Sequence, residues 1–462
     1  MATHHRNNST NHRHSYSSRR PARIKLRQRN HKRSRSERAC RARTCPRPQR
    51  RYPNPRRCSP FRRYAALPRI RNRAIRTMKK THLIILILAA YTAAQDPVPA
   101  FATGWAGRVA ITTDNTKITT SNPIPAYFDL DDIDPADTFW QSVSSTGAEI
   151  RMGLSGGSTS TQVSCHVVTI DTTAKTGQIW YDASKNSTSV DVTYYIYAGK
   201  SGESAPAEDA AFGRESVYSP SGCVGAWHLN GASVTDLDDA TSYDLDFITE
   251  NNTVTFDAEG KHGTGVEFDQ GNEYIRTATF GSSPDLAVTN IATMGWIQID
   301  DTIGDQVAFS FQYDYSNGLA MFKNADDPKA RIDIPSSGIA DILYATTHPM
   351  SVGTWYHLAC FGDNTNRKLY QNASQVATAA ATGAMGVATT KGVEFGAGIG
   401  GSYFHGHVDT VLLFTGANAT SEEFVTTCYN NQKDSTYYSN VAAWETLGGE
   451  VSTPTPSILY FP

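Results

Sequence analysis

Apolar and polar residues alternate along much of this chain in short runs, and few stretches repeat at helical spacing. The run from Val190 to Tyr197 alternates for most of its length, as a strand with one buried face does. Turn-forming residues such as Ser121-Asn122-Pro123 separate the runs. The pattern predicts strands over 108–112, 126–130, 148–152, 163–170, 178–181 and 190–198, and then over 224–228, 254–256, 265–268, 274–277, 293–299, 307–313, 319–322, 355–361, 368–371 and 408–414.

These runs fall into two groups, so we predict two β units and an all-β fold class. The first is a small β-sandwich over residues 102–200. A short exposed linker follows over 201–216, which is rich in Ala, Ser, Pro and acidic residues. The second unit is a jelly-roll sandwich over 217–440. Residues 441–462 are predicted to be a C-terminal tail.

One helix is expected near the end of the second unit. Thr420-Ser421-Glu422-Glu423 has the pattern of a capping box, in which the Thr420 hydroxyl would accept a hydrogen bond from the backbone N–H of Glu423. Phe424, Val425 and Cys428 then follow at helical spacing.

Residues 78–94 have the pattern of a secretory signal peptide. Met78-Lys79-Lys80 is a charged start, residues 83–90 form an unbroken apolar run, and small residues stand at Thr92 and Ala94. The apolar run is too short for a membrane span, which needs about 20 residues. We therefore expect a secreted or cell-surface protein that begins near Gln95 and has no membrane span in its mature form.

The segment before this signal differs from the rest in charge. Residues 1–77 hold 25 Lys and Arg against one acidic residue, whereas residues 78–462 carry a net charge of −25. Such a like-charged block does not fold alone. It is either a basic arm for nucleic acid or upstream DNA read from a mis-set start. We favour the second, because a secretory signal works at the extreme N-terminus, and we expect no nucleic-acid partner.

Four cysteines follow the signal, at Cys165, Cys223, Cys360 and Cys428. Four cysteines allow three disulfide pairings, and the sequence does not choose among them. Their spacing is too wide for a zinc cluster.

The first unit resembles the family called domain of unknown function 2341. The matching residues are Gly104-Trp105, the strand over 108–112, Ala148-Glu149-Ile150-Arg151, Gln178-Ile179-Trp180-Tyr181, and the motif that ends the unit, Tyr194-Tyr195-Ile196-Tyr197-Ala198-Gly199. That closing motif usually ends Tyr-Tyr-Gly-Asn in the family, so this copy departs from it.

The second unit resembles the laminin-G-like, concanavalin A-like jelly rolls. Pieces typical of those domains occur in the expected order: Val224-Gly225-Ala226-Trp227-His228-Leu229, residues 260–269, Trp355-Tyr356-His357-Leu358, Leu369-Tyr370-Gln371-Asn372, Phe404-His405-Gly406-His407-Val408-Asp409 and Tyr429-Asn430-Asn431-Gln432. The resemblance implies a fold that lectins, adhesion modules and glycosidases share, so it does not select a function.

Glycoside hydrolysis needs two carboxylates a few ångströms apart. On a jelly-roll strand such acids usually stand two residues apart on one face. The Glu-x-Asp-x-Glu triplet of the related β-glucanases does not occur in this sequence, and the nearest candidates are Glu267 and Asp269. We therefore expect no catalytic residues.

Two patterns raise the question of a metal. If residues 405–409 form a strand, His405, His407 and Asp409 project to one face and could bind a metal, although Asp409 could instead be a structural carboxylate. The acidic loops at 129–134 and at Asp236-Leu237-Asp238-Asp239 offer oxygen ligands for Ca²⁺, or are solvated surface. The candidate metal ligands are Asp236, Asp238, Asp239 and Asp409, and the candidate cofactor is Ca²⁺.

Aromatic rings at strand ends could stack on a sugar, whereas the tryptophans inside strands are better explained as core. Candidate ligand-binding residues are Tyr313, Tyr315, Tyr344 and Tyr403, together with His405 and His407.

The sequence thus predicts a secreted or cell-surface, non-catalytic, lectin-like protein whose partners are extracellular glycans or surface proteins. The alternatives are a structural or adhesion protein that binds proteins or self-assembles at a surface, and a divergent glycoside hydrolase.

Overall fold

The computed structural model describes residues within one compact unit, 78–462. The described residues are 104–154, 161–269, 271–279, 284–314, 317–324, 330–333, 342–345, 347–363, 365–381, 384–385, 388, 390–397, 402–416 and 420–447. The segments predicted as an Arg-rich block and a signal peptide lie outside them.

The first sandwich is built from two antiparallel sheets, as the alternating runs predicted. Its elements before residue 200 are β1 (Gly107–Thr113), β2 (Pro125–Asp129), α1 (Phe139–Ser142), β3 (Arg151–Leu154), β4 (Gln162–Val163), β5 (Cys165–Asp171), β6 (Thr176–Asp182) and β7 (Val192–Ala198). Two strands from late in the chain, β23 (Ser439–Val441) and β24 (Glu445–Thr446), also belong to it. One sheet has the strand order β23-β1-β7-β3-β4, with β24 also paired to β1, and the other has the order β2-β6-β5.

The second unit is a sandwich of two larger antiparallel sheets. The strand orders are β10-β11-β22-β13-β18-β19-β20, with β8 paired to β22, and β17-β16-β15-β14-β21-β12-β9. A short helix, α2 (Glu215–Tyr218), precedes β8 (Cys223–Trp227). The other strands are β9 (Phe247–Asn251), β10 (Thr255–Glu259), β11 (Thr264–Asp269), β12 (Tyr274–Thr277), β13 (Ile291–Ile299), β14 (Gln306–Phe311), β15 (Leu319–Lys323), β16 (Ala330–Asp333), β17 (Ile342–Tyr344), β18 (Trp355–Gly362), β19 (Asn366–Gln371), β20 (Ser374–Ala380), β21 (Val393–Phe395) and β22 (His405–Thr415).

The predicted helix is α3 (Glu422–Lys433), and it begins one residue later than its sequence pattern suggested. Ser421, not Thr420, is the N-cap, and its hydroxyl accepts a hydrogen bond from the backbone N–H of Phe424. A second short helix, α4 (Ser435–Tyr438), follows, and then β23 (Ser439–Val441) and β24 (Glu445–Thr446).

The residues after Tyr438 return to the first sandwich. β23 and β24 both pair with β1, so the start of the segment predicted as a tail forms part of the first sheet. The chain therefore passes through the first sandwich, the jelly roll and α3, and closes on its own first strand.

The two sandwiches share one hydrophobic core. Phe128 and Trp180 of the first sandwich lie in the same buried cluster as Met294 and Leu412 of the jelly roll and Phe424 of α3. The interior between the two jelly-roll sheets is a separate cluster around Trp227 and Phe395. The boundary between the units is thus an apolar interface as well as a linker.

The four described cysteines, Cys165, Cys223, Cys360 and Cys428, are all free and buried. None of the helices in the described ranges is both long and apolar enough to cross a membrane.

Candidate functional site

A cavity of about 200 Å³ opens where the two sandwiches meet. We call it the junction pocket and define it by its polar lining residues, His166, Arg214, His228, Asn230, Asp236 and Asp238, which stand among the apolar Val168, Leu229, Leu237 and Ala240. The first sandwich supplies His166, and the jelly roll supplies His228 and Asn230.

Local structure explains why these side chains converge. His166 lies on β5 and pairs in register with Trp180 of β6. The chain turns at Leu229, directly after β8, with a left-handed backbone φ of 60°. The turn follows His228, and the Asn230 amide then donates to the carbonyl oxygen of His262 at 3.2 Å.

Three lining residues carry buried polar atoms that have no hydrogen-bond partner among the described residues. They are Nε of Arg214, Nδ1 of His228 and Oδ1 of Asn230. A buried, unsatisfied donor or acceptor costs about 1–3 kcal/mol, so such atoms are rare and normally meet water or a ligand. Because all three residues line one cavity, we take it as the candidate binding site.

A buried tyrosine links the two pocket histidines. The Tyr218 hydroxyl lies 3.0 Å from Nδ1 of His166 and 2.6 Å from Nε2 of His228. Burial lowers the pKa of His166 to about 3, helped by the charge of Arg214. Burial also lowers the pKa of His228 well below its usual value, with His166, His262 and Arg214 adding to the effect. Both imidazoles are therefore neutral near pH 7.

The charge of Arg214 is balanced by carboxylates. Its guanidinium donates to Glu208 at 2.8 Å and lies 3.6 Å from a carboxylate oxygen of Asp238. Asp236 accepts a hydrogen bond from the Ser233 hydroxyl at 2.7 Å. The mouth of the pocket is therefore polar, and its acidic groups outnumber its single cation.

The structure separates the four predicted metal ligands. Asp236 and Asp238 line the junction pocket. Asp239 and Asp409 are buried, and their carboxylates accept hydrogen bonds from backbone N–H groups. The Asp239 carboxylate accepts from the backbone N–H groups of Ala226, Thr241 and Leu245 and from the Thr241 hydroxyl. Burial raises its pKa to about 6, although these hydrogen bonds oppose the rise.

Asp409 shares a sheet face with His405 and His407, as the strand pattern predicted, but it does not point to solvent. Its carboxylate accepts from the backbone N–H of His262 at 2.6 Å and from the Thr410 hydroxyl at 3.1 Å. Burial raises the pKa of Asp409 to about 7. Its role is structural, the alternative that the sequence had left open.

His405 and His407 lie at the half-buried end of this face. His405 Nδ1 lies 2.9 Å from Asp301, and His407 Nε2 lies 3.5 Å from Asp300. Glu267, which pairs in register with His407, brings its carboxylate close to both Asp300 and His407, with ligand atoms within 4.8 Å of one another. These three side chains are of the types that bind divalent cations.

The predicted sugar-stacking tyrosines do not form one site. Tyr313 is 3% exposed, and its hydroxyl donates to Asp333, so the prediction that it contacts a ligand is wrong. Tyr344 is exposed beside Arg331, and Tyr403 is half-buried. Tyr315 lies outside the described residues.

Sequence reasoning missed His166, Arg214, His228 and Asn230. The available signal was His228, a polar residue directly after a strand whose residues are all apolar or glycine. Nothing in the sequence indicated that a strand of the first unit would bring His166 beside it.

Residues 268–423 match the Laminin_G_3 family model, described as the concanavalin A-like lectin/glucanases superfamily. The matched segment is therefore a concanavalin A-like domain, and the all-β sandwich fold is confirmed. The match does not include the first sandwich, so its resemblance to domain of unknown function 2341 stays a prediction. No curated protein has a sequence that matches this chain.

Several solved structures are similar to part of the chain at low sequence identity. Domain 4 of AbnA, a GH43 extracellular arabinanase from Geobacillus stearothermophilus in complex with arabinotriose, is 16% identical, with 45% of this chain and 98% of that chain covered and a TM-score of 0.37. The binding domain of Paraclostridial Mosquitocidal Protein 1 is 12% identical, with coverage of 45% and 52% and a TM-score of 0.37. The receptor binding domain of botulinum neurotoxin D is 12% identical, with coverage of 46% and 53% and a TM-score of 0.36. This chain therefore spans about half the length of the two toxin domains.

Proposed function

We propose that this chain is a secreted or cell-surface, non-catalytic carbohydrate-binding protein and that the junction pocket binds the sugar. The observation that carries the proposal is the set of three unpartnered polar atoms on Arg214, His228 and Asn230 around one cavity. A sugar hydroxyl both donates and accepts hydrogen bonds, so neighbouring hydroxyls on one ring can satisfy all three atoms.

The size and the chemistry of the pocket support this proposal. About 200 Å³ corresponds to roughly seven water molecules, which is the scale of a single sugar ring. Nε of Arg214 is a donor and Oδ1 of Asn230 is an acceptor. The pocket can therefore donate to the oxygen of a hydroxyl and accept from its hydrogen. A site this small is expected to bind weakly, and display in several copies would raise its avidity.

A glycan array probed with residues 95–462 tests the proposal. This fragment retains every described residue and lies inside the compact unit that begins at Met78. The array is run with calcium and again with a chelator. Binding to one class of glycan in both conditions is expected, and binding that needs calcium would make Asp236 and Asp238 candidate ligands of the ion.

Two variants connect any binding to the pocket. His228→Phe and Asn230→Ala each remove one of the unpartnered atoms, and we expect each to weaken glycan binding by about tenfold or more, because one hydrogen bond in a buried site is worth about 1–3 kcal/mol. Asn440→Ala, at an exposed position of β23, is the matched control and should bind like the wild type. If His228→Phe and Asn230→Ala bind normally, the sugar site lies elsewhere.

The two alternative functions have their own outcomes. No binding to any glycan by folded protein would favour a structural or adhesion role with protein partners or self-assembly. Glu267 and Asp300 are the carboxylates to test for glycoside hydrolysis, because their oxygen atoms lie within 4.8 Å of each other. Hydrolysis of a glycoside by the wild type, lost in Glu267→Gln and also in Asp300→Asn, would favour the glycoside hydrolase.

A further inference from the structure

We infer that the junction pocket takes an uncharged sugar and discriminates against acidic sugars such as uronic acids. This inference rests on the proposed function and adds the class of ligand. Its basis is the distribution of charge around the cavity and the hydrogen bonds that its neutral groups still lack.

Arg214 is the one cation that lines the cavity, and it is already paired. Glu208 accepts from its NH2 group at 2.8 Å, and Asp238 lies 3.6 Å from NH1. Nε is buried and has no hydrogen-bond partner among the described residues. A ligand carboxylate at this guanidinium would compete with Glu208 and Asp238 for its charge. One hydroxyl oxygen can accept from Nε without displacing either carboxylate.

The acidic residues at the rim oppose a negatively charged ligand. Asp236 and Asp238 line the pocket and are exposed, so with Arg214 the lining carries a net charge of −1. Glu208 lies just outside and adds a further negative charge. A sugar carboxylate in the cavity would stand close to these carboxylates and would be repelled, more strongly at low salt.

The pocket histidines do not supply a compensating positive charge. His166 is half-buried and His228 is buried, and the two share one tyrosine hydroxyl, an arrangement that neutral rings can make. Their lowered pKa values agree with that arrangement and favour uncharged rings near neutral pH.

The shared hydroxyl also makes His228 adaptable toward a neutral ligand. When the Tyr218 hydroxyl donates to His166, Nε2–H of His228 donates to it, and Nδ1 of His228 is an acceptor. When the hydroxyl donates to His228 instead, Nδ1 carries the proton and is a donor. The unpartnered Nδ1 can therefore match a sugar hydroxyl in either orientation.

The test compares matched sugars by isothermal titration with residues 95–462. Methyl glucoside, methyl galactoside and methyl mannoside are each paired with the corresponding uronide, which differs only in a carboxylate at carbon 6. We expect at least one neutral glycoside to bind, and its uronide to bind tenfold or more weakly. A uronide that binds as tightly as its neutral partner would overturn the inference and leave the proposed function intact. If no glycoside or uronide binds, the proposed sugar site fails and the inference fails with it.

A charge variant shows whether the pocket causes the selectivity. Asp238→Asn removes one rim carboxylate, so the ratio of neutral to uronide affinity should fall severalfold. Asp257→Asn removes an exposed carboxylate on β10, outside the pocket lining, and should leave the ratio unchanged. An unchanged ratio in Asp238→Asn would contradict the electrostatic cause and overturn the inference.

Discussion

Individual buried carboxylates hold this fold at places where the backbone lacks strand partners. Asp239 satisfies three backbone N–H groups and the Thr241 hydroxyl, while its own N–H donates to Asp246. Asp409 of β22 fixes His262, in the turn between β10 and β11, in the same way. These residues were candidate metal ligands by type, and the structure assigns their oxygens to the polypeptide itself.

Replacement of Asp239 is expected to destabilise the protein strongly. Asp239→Ala leaves three buried N–H groups without an acceptor, so the free energy of unfolding should fall by at least about 3 kcal/mol. Urea unfolding followed by tryptophan fluorescence measures the change. Glu259→Ala, at an exposed carboxylate on β10, is the control and should change stability by less than about 0.5 kcal/mol. Equal effects of both substitutions would contradict the assigned role.

Buried histidines predict loss of stability in acid. Burial lowers the pKa of four of them below the usual 6.5. Between pH 6.5 and 3 the unfolded chain therefore takes up protons that the folded protein does not, and the free energy of unfolding decreases as the pH is lowered. Asp131, Asp239 and Asp409 act in the opposite direction, because their raised pKa values let the folded protein take up protons first. The four histidines are His166, His228, His262 and His357.

Near pH 5 the unfolded chain then binds about one proton more than the folded protein, because four histidines outweigh three aspartates. The free energy of unfolding should fall by about 1–2 kcal/mol for each pH unit between 6 and 4. Urea unfolding at several pH values tests this. His357→Phe should make the slope shallower, because it removes one of the four histidines whose pKa is lowered. The substitution breaks no hydrogen bond among the described residues, since neither ring nitrogen of His357 has a partner there. The exposed His348→Asn should not change it, and a flat profile would contradict the prediction.

At the scale of elements, α3 joins the two sandwiches. Phe424, Val425 and Cys428 of this helix are buried in the shared core, as their helical spacing predicted. Asn431 lies at the other end of the helix, against the edge of β2. Its amide oxygen accepts from the backbone N–H of Tyr127 at 2.7 Å, and its amide nitrogen donates to the Tyr127 carbonyl at 2.8 Å. The side chain thus takes the place of a neighbouring strand.

Asn431→Ala is expected to lower the free energy of unfolding by about 2–4 kcal/mol, because it leaves both backbone groups of Tyr127 without partners in a buried place. The adjacent Asn430→Ala loses only one half-exposed hydrogen bond, to Lys117, and should lose less than about 1 kcal/mol. Thermal and urea unfolding of the two variants make the comparison. A smaller loss in Asn431→Ala than in Asn430→Ala would show that the helix does not hold the strand edge.

At the scale of the whole molecule, the chain closes on itself. β1 pairs with β7 on one side and with β23 and β24 on the other, although β1 and β24 stand more than 300 residues apart. Arg108 of β1 also donates to Glu445 of β24 at 2.7 Å. Without the last strands β1 would be an open edge. The two sandwiches should therefore unfold together, in one calorimetric transition.

Truncation tests this closure. A chain that ends at Tyr438 lacks β23 and β24, and we expect faster amide hydrogen exchange along β1 and a lower melting temperature. A chain that ends at Leu447 keeps both strands and should exchange like the full chain. Equal exchange along β1 in the two truncated chains would show that the terminal strands do not stabilise the first sheet.

The sequence by itself determined the all-β class, most of the strands and the one long helix, because alternation and helical spacing are local consequences of which face is buried. It also determined that His405, His407 and Asp409 share a sheet face. Only the tertiary structure decided what lies over that face: His262 covers Asp409, while His407 stays half-buried beside Glu267 and Asp300. The junction pocket, the Asn431 clamp and the return of β23 to β1 likewise depend on contacts between residues far apart in the chain. Local pattern carries no information about such pairs, since each partner reads as an ordinary polar or strand residue until the fold brings them together.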